Sequence, residues 1–492
     1  VIEVRAPFTG EVIDTLVESN RADVAAAFSR ARSAQLGWQR TSVQERSRII
    51  LRFHDLVAQR RDEILDLLQR EAGKARRDAM EEVLDVLIAA RHYGRDARRL
   101  LAHRQVRGAI PLVVGAQVRH VPWGAVAIIA PWNYPLSLTA SDAIPALLAG
   151  NSVVIKPDDQ TSLTALWVRD RLIEAGLPPE VVQVVLGRGD VVGPWVIDEA
   201  DYVMFTGSTR VGRIVAARCG ERLIPCSMEL GGKNAMIVRA DADPERAAEI
   251  ATRASFANAG QLCISMERIY AHHQVHQAFV EAFVRRTNAL RLGARVGWGF
   301  EIGSLISAGQ LERVQAHFDD AVSKGATVLA GGRARPDVGP FFFEPTILSG
   351  VTDAMVVCDE ETFGPVVAVR SVESDQQAIE LANDTEYGLN ASVIGRDRGA
   401  ARAVARQLRA GTVNVNEGYA TAWGSVRAPM GGMGQSGLGR RHGDEGLLKY
   451  TQSQTIATQR LLSFGAPAGW TDERWGAVLT SAVTAMKRLR LK

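Results

Sequence analysis

The stretch Tyr202-Val203-Met204-Phe205-Thr206-Gly207-Ser208-Thr209-Arg210-Val211-Gly212 decides the fold. An apolar run with β-favouring residues ends at Phe205, and Gly207 breaks it. Ser208 and Thr209 then offer hydroxyls to cap a helix that continues through Val211. A strand that turns through glycine into a capped helix is the repeating half of a βαβ unit. Backbone N–H groups at such a helix start lack partners in the helix and favour an anion. Gly207, Ser208 and Gly212 are therefore candidate phosphate contacts, the plainer reading being an ordinary capped helix.

The same texture extends on both sides. Short β-branched runs at 112–114, 126–129, 153–155 and 181–186 precede it, with a helical segment at 163–175 and another at 211–217. A second series after Met228 places strands at 235–238, 267–271, 326–329, 365–369, 391–394 and 412–415. Residues 20–105 read as helix, with apolar positions three and four apart in Ile50 to Val57 and Ile64 to Leu68. The expected class is α/β, two closely packed domains built on mostly parallel sheets.

Composition bounds the function. The 492 residues suggest roughly three domains at about 150 each. The net charge is +3, from 58 basic against 55 acidic side chains, so no basic domain points to nucleic acid. No apolar run reaches the roughly 20 residues that span a bilayer. Cys219, Cys226, Cys263 and Cys358 form no C-x-x-C pair, and no His/Asp/Glu cluster suggests a metal. A reducing compartment follows, and the start Val1-Ile2-Glu3-Val4-Arg5 reads as no signal peptide, so a cytoplasmic protein is expected. Only seven of the basic residues are lysine, which makes an internal lysine beside a strand conspicuous.

Five further stretches can carry chemistry. Gly187-Arg188-Gly189-Asp190-Val191-Val192-Gly193 approximates a dinucleotide turn, with its last spacing one residue too long. Lys156 ends the run Ser152-Val153-Val154-Ile155, where a ribose hydroxyl or phosphate is a natural partner, and Asp159 follows three residues later. Cys263 closes Asn258-Ala259-Gly260-Gln261-Leu262 and, opening a helix, reads as a nucleophile of lowered pKa or as a buried structural thiol. Glu229 precedes Gly231-Gly232-Lys233, and Asn133 within Pro131-Trp132-Asn133-Tyr134-Pro135 offers an amide to an oxyanion.

These motifs, in this order, resemble the aldehyde dehydrogenase superfamily over about residues 7 to 460. Glu360-Glu361-Thr362-Phe363, Asn383-Asp384-Thr385-Glu386-Tyr387 and Gly431-Gly432 followed by Ser436-Gly437-Leu438-Gly439-Arg440 add to the likeness. The resemblance implies Cys263 as nucleophile, Asn133 with the Cys263 N–H as oxyanion site, and Glu229 as the base that activates water. It also implies that Lys156 and Asp159 bind the adenosine ribose, that Trp132 and Ser208 lie at the diphosphate, and that Glu361 and Phe363 hold the nicotinamide ribose and ring. Gly189 falls where the family has its own dinucleotide turn. The cofactor is NAD or NADP, with NAD favoured because an acid at Asp159 repels a 2′-phosphate; Asp158 as the one that turns inward, or both facing solvent, are the alternatives. Glu229 favours release of a free acid over transfer to coenzyme A.

The nearest look is to bacterial succinic semialdehyde dehydrogenases, through Ser141-Asp142 to Gly150 and Met430-Gly431-Gly432-Met433. Enzymes of that name carry Arg where this chain has Ala257, so an apolar aliphatic or aromatic aldehyde is the alternative substrate. Ala257, Ser425 and Arg427 are the candidate substrate contacts. A catalytically silent binding protein with this fold, or a thiol hydrolase without cofactor, are the readings from other classes.

The implied architecture is a Rossmann-like cofactor domain at 1–103 and 123–230, a catalytic domain at 231–425, and a return to the first domain at 426–450. A β-arm for oligomerisation takes 104–122 and 451–465, giving a dimer or tetramer. The tail 466–492 reads as an amphipathic C-terminal helix packed on the body or a partner subunit, with membrane contact by its basic tip the lesser alternative.

Overall fold

The computed structural model describes residues 1–108, 114–460 and 465–488. The first part carries strands β1 (Ile2–Arg5), β2 (Val12–Leu16), β3 (Arg104–Arg107), β4 (Val114–Pro122), β5 (Ala125–Ile129), β6 (Ser152–Lys156), β7 (Val182–Val184), β8 (Tyr202–Thr206) and β9 (Cys226–Glu229). The second series is β10 (Asn234–Val238), β11 (Met266–His272), β12 (Thr327–Ala330), β13 (Thr346–Ser349), β14 (Val366–Val372), β15 (Asn390–Ile394) and β16 (Thr412–Val415). Two late strands, β17 (Gly437–Leu438) and β18 (Thr451–Gln459), return to earlier parts of the chain. The long helical region resolves into α1 (Arg21–Trp38), α2 (Val43–Gln59), α3 (Arg61–Ala72) and α4 (Arg76–Leu100), followed by α5 (Pro135–Leu148), α6 (Ser162–Glu174), α7 (Gly189–Glu199) and α8 (Thr209–Glu221).

The first sheet has the order β17-β9-β8-β5-β6-β7, parallel throughout except for β17. Its central strands are buried on both faces, which is why they read as unbroken apolar runs rather than alternating ones. The chain builds β5, β6 and β7 outward in one direction, then crosses back to place β8 on the other side of β5. Strand order therefore reverses between β5 and β8, and a crevice opens beyond their C-terminal ends. The segments leaving that edge are Pro131–Asn133 and Gly207–Ser208.

The second sheet has the order β12-β13-β14-β11-β10-β15-β16, with β12 antiparallel at its edge. Cys263 precedes β11 and Glu361 precedes β14, so this sheet offers its N-terminal edge to the crevice. A large apolar cluster between it and the helices Pro244–Phe256 and His273–Asn288 fixes that edge. A second cluster packs α2, α4, α5 and α6 on the first sheet.

Most expected strands appear within two residues of their sequence positions. The run expected at 112–114 lies mostly outside the described residues. The strands β9 and β13 escape the pattern reading, because Cys226-Ser227-Met228-Glu229 contains no β-branched residue and Thr346–Ser349 is too short to show a period. The pair β1–β2 was hidden among turn residues.

Apart from the two sheets, β18, β4 and β3 form an antiparallel three-stranded ribbon. From Gln452 to Gln459 every residue of β18 is exposed. The tail forms a helix, Asp472–Arg488, anchored by the buried Trp475, whose ring meets Trp470 edge-on. Among the described residues no helix is long and apolar enough to cross a membrane. The basic tip at 489–492 lies outside the described residues.

Candidate active site

The crevice between β5 and β8 is a cleft of about 440 Å³. Trp132, Gly207, Ser208, Glu229, Glu361 and Phe363 line it, together with Arg210 and Arg313. Ser208 caps α8, its hydroxyl oxygen accepting the Val211 N–H at 3.4 Å. The start of α8 thus faces the cleft with backbone donors that suit a diphosphate. Gly212 lies one turn into the helix, buried against Leu230 rather than lining the cleft.

One strand further along the same edge, Lys156 ends β6 with its side chain buried. Its ammonium stands 3.4 Å from Asp159. Asp158 is occupied otherwise, capping the following turn through the Gln160 N–H at 3.1 Å. Gly189 opens α7 beside Lys156. Lys156, Asp159 and Gly189 therefore form one group next to the cleft, separate from the residues that line it.

Opposite α8, the loop 257–265 is held in an unusual backbone. Asn258, Ala259 and Gly260 have φ of 51°, 54° and 73°, three left-handed residues in succession. Such a conformation costs roughly 1–2 kcal/mol for each non-glycine residue. At Gly260 a Cβ would also lie 2.1 Å from the Gly364 carbonyl oxygen. Buried amides offset the strain. Asn258 Nδ2 donates to the carbonyls of Asn133 and Gln261 at 3.0 and 3.1 Å, and Asn234 Nδ2 donates to those of Cys263 and Ser265 at 2.8 and 2.7 Å.

That loop corrects one expectation. Cys263 opens no helix; it follows the turn and leads into β11. Burial, reinforced by the Glu361 carboxylate, pushes its thiol up to about 12, with Arg441 opposing the rise and Glu229 adding to it. No helix N-terminus is present to lower it.

Asn133 reaches the same loop, its Nδ2 donating to the Gln261 carbonyl at 3.1 Å and keeping a second N–H for another acceptor. Its own carbonyl receives Lys74 Nζ at 2.7 Å. Lys74 pairs with Glu82, both side chains fully buried, and Glu82 also accepts the N–H groups of Leu136 and Ser137 at 2.8 and 3.1 Å. The start of α4 therefore positions Asn133. Sequence reading passed over Lys74 and Glu82, although Lys74 was one of the scarce lysines.

Glu229 ends β9 almost fully buried, and its Oε1 has no hydrogen-bond partner. Burial raises its pKa to about 7, with Arg441 and Lys449 pulling the other way. Glu361 accepts the Gly232 N–H at 2.9 Å, and burial beside Glu267 raises it to about 8. Glu267 in turn accepts the Phe363 N–H at 3.0 Å and pairs with Lys233. The Phe363 ring meets Trp132 edge-on at 5.5 Å.

A second, smaller cavity of about 80 Å³ opens on the other side of Cys263. Tyr134, Leu262, Tyr419, Trp423 and Met430 give it apolar walls, and Asp142, Arg441 and Lys449 add charge. Cys263 and Asn133 line both cavities. The three expected substrate contacts do not line either. Ala257 is packed in the core of the second sheet, while Ser425 and Arg427 are exposed where the loop beyond Trp423 turns outward. Ala257, the position where enzymes named for succinic semialdehyde carry Arg, lies before the left-handed residues Asn258, Ala259 and Gly260 and is buried.

A thiol held between a dinucleotide-sized cleft and a small aldehyde-sized cavity fits the comparison with known sequences, which match the aldehyde dehydrogenase family over residues 1–456. The chain belongs to the aldehyde dehydrogenase family. It is an enzyme, an oxidoreductase acting on aldehydes. A Mycolicibacterium smegmatis protein provisionally named succinate-semialdehyde dehydrogenase (NADP+) is 53% identical over 482 residues, 98% of this chain and 93% of that one. The succinate semialdehyde dehydrogenase of Acinetobacter baylyi is 34% identical over 91% of this chain and 92% of its own length. Among solved structures, an aldehyde dehydrogenase from Brucella melitensis biovar abortus superposes with a TM-score of 0.89 at 34% identity, covering 94% of each chain. The NAD+ complex of an aldehyde dehydrogenase from Bacillus cereus also superposes at 0.89, at 33% identity over 93% of each chain.

Proposed function

We propose that this aldehyde dehydrogenase oxidises succinic semialdehyde to succinate with NAD or NADP as acceptor. The observation that carries the reading is the placement of Cys263 and Asn133 on the wall shared by two cavities. The names of its relatives support the substrate. Size supports it too: at roughly 10–15 Å³ of this measure per water, the small cavity seats about five to eight water-sized groups, a short aldehyde rather than a long chain.

The cleft fits a dinucleotide by its donors and its shape. It offers the capped start of α8 for phosphate, Glu361 for ribose hydroxyls and the Trp132 and Phe363 rings for the nicotinamide end. At Gly231 any Cβ would lie 2.4 Å from the Glu361 carboxylate, so that wall is kept bare. When bound, the nicotinamide supplies the hydride acceptor.

The chain's own residues do the rest. Glu229 takes the proton of the Cys263 thiol, and Sγ bonds to the aldehyde carbon. Asn133 Nδ2 and the Cys263 N–H hold the resulting oxyanion. After oxidation the acyl group remains on Sγ as a thioester. Glu229 passes the thiol proton to solvent and, as a carboxylate again, takes a proton from water. The hydroxide oxygen attacks the acyl carbon, the C–S bond breaks, the acid leaves and Cys263 departs as a thiolate that takes the proton back from Glu229. Growth of reduced-nicotinamide absorbance with succinic semialdehyde, and not with a coenzyme A-dependent assay alone, is the expected result. Silence toward every aldehyde in a panel with either dinucleotide would overturn the reading.

Beside the cleft, Lys156 and Asp159 are assigned to the adenosine ribose, with Gly189 in the adjoining turn. The carboxylate of Asp159 accepts a 2′-hydroxyl and repels a 2′-phosphate, which favours NAD, whereas relatives are named for NADP. Asp159→Asn is expected to move the NADP-to-NAD ratio of kcat/KM upward by about tenfold, the worth of one such charge contact at roughly 1.4 kcal/mol. An unchanged ratio places the discrimination elsewhere.

The first sheet with β17 is assigned to the cofactor domain, the second sheet to the catalytic domain and the ribbon β3-β4-β18 to assembly. An exposed edge strand as long as β18 presents unpaired backbone groups that a second copy satisfies. Light scattering is expected to give a dimer or tetramer, and a monomer at micromolar concentration contradicts the assignment. The cytoplasm is the compartment proposed, in keeping with four cysteines that form no disulfide.

A further inference from the structure

The small cavity beside Cys263 contains a cation that the protein itself leaves poorly matched. Its other charged side chains are committed. Arg441 is fixed on Asp142, with Nε 3.1 Å from Oδ1, and donates to the Thr206 hydroxyl at 2.7 Å. Glu81 accepts the Tyr419 hydroxyl at 2.9 Å and Arg253 at 2.7 Å. Asp85 accepts the hydroxyls of Ser137 and Ser141.

Lys449 is different. Its side chain is only 10% exposed, and its ammonium stands 4.0 Å from the nearer oxygen of Asp142. Among the described residues its one hydrogen bond goes to the thioether of Met204 at 3.3 Å, with the Tyr450 ring 5.0 Å away. A thioether is a weak acceptor, and an ammonium has three donors to satisfy. Burying it in this state is costly unless a further anion arrives. Because Lys449 lines the same cavity as Cys263, an anion carried by the substrate is the partner within reach.

We propose that Lys449 is a specificity residue that receives the remote carboxylate of an aldehyde acid, with Arg441 held beside it by Asp142. The proposal rests on the assignment above of aldehyde oxidation at Cys263 and names what selects the substrate there. It accounts for how a chain with Ala257, and with no arginine at that position, binds a dicarboxylic semialdehyde. The cation comes from the far end of the sequence, where the chain returns from β17 toward β18.

The charge of Lys449 is also sensitive to pH. Burial lowers its pKa to about 8, against Asp142 on α5 and Glu229 on β9, which raise it, while Arg441 adds to the lowering. Lys449 is protonated below that value and loses its charge above it, so preference for a carboxylate falls as pH rises past about 8.

The test compares succinic semialdehyde with butanal in the full-length enzyme, taking the ratio of their kcat/KM values. The ratio cancels effects common to both aldehydes, including those of Glu229. Lys449→Met is expected to lower the ratio by roughly 30-fold or more, the scale on which truncating one partner of a buried charge pair acts. Lys449→Arg should retain most of it. In the wild-type enzyme the same ratio should fall between pH 7.5 and 9.5, a measurement that stands even where the variant does not fold. A ratio unmoved by Lys449→Met, or flat across that pH range, overturns the proposal. Oxidation of butanal without preference for the acid overturns it while leaving the aldehyde dehydrogenase reading intact; no reduced nicotinamide from either aldehyde removes the reading itself.

Discussion

Cys263→Ala is expected to lower kcat for aldehyde oxidation by at least about 10⁴-fold, the scale on which enzymes lose rate when the nucleophile of a covalent mechanism is removed. Alanine keeps the backbone, so the three left-handed residues and the amides of Asn258 and Asn234 still shape the loop. The oxyanion donors of Asn133 and the residue-263 N–H also persist, but no carbon–sulfur bond can form beneath them. Hydride loss then has to come from a hydrated aldehyde that is not bonded to the enzyme. The variant should bind dinucleotide with an affinity close to that of the wild type, because Cys263 closes only one end of the cleft. Steady-state absorbance and a dinucleotide fluorescence titration check the two halves together. A residual rate within about a hundredfold of wild type would show that Sγ is not the attacking atom.

How much of this was legible beforehand differs between fold and site. The strand, glycine and cap at 202–212 specify their own local structure, since each choice there agrees with the next. The reversal of strand order between β5 and β8 is a fact of pairing over long sequence distances, so no local pattern could display it. Cys263, Glu229 and Asn133 were legible as motifs, whereas their electrostatics were not. A lowered pKa at Cys263 was one of two readings of its motif, a buried structural thiol being the other, and the burial that raises the pKa comes from packing of segments far apart in sequence.

The lysines make the same point from the other direction. Lys74, Lys156, Lys233 and Lys449 all have largely buried side chains. Their scarcity marked each as unusual, but only the fold shows that Lys74 supports Asn133, that Lys233 supports Glu267, and that Lys449 lines the small cavity beside Cys263. Ala257 was singled out by likeness to enzymes that carry Arg there and Arg427 as a cation that could take its place; neither they nor Ser425 line either cavity.

Glu229→Gln separates the two halves of the reaction. Gln has nearly the same shape and removes an acid whose Oε1 is buried without a partner, so the fold should tolerate it. What it lacks is a lone pair basic enough to take a proton from water. Loss of a positioned general base costs typically about 10²–10⁴-fold, and kcat is expected to fall by that amount. Thiol attack needs no bound water, and hydroxide in solution can replace Glu229 as acceptor of the Sγ proton at higher pH. Mixing the variant with aldehyde and dinucleotide above neutral pH should therefore give a burst of reduced nicotinamide close to one per active site, then near-silence. Intact-mass measurement of the stalled enzyme should find the acyl group on Cys263. The wild type supplies the matching pH signature. With its pKa raised to about 7, Glu229 is protonated and inert below neutrality, so kcat should rise with pH through about 7 and level off above it. That rise should disappear in Glu229→Gln. A variant that turns over steadily without a burst, or that keeps the wild-type rise near pH 7, would assign water activation to another group in the cleft.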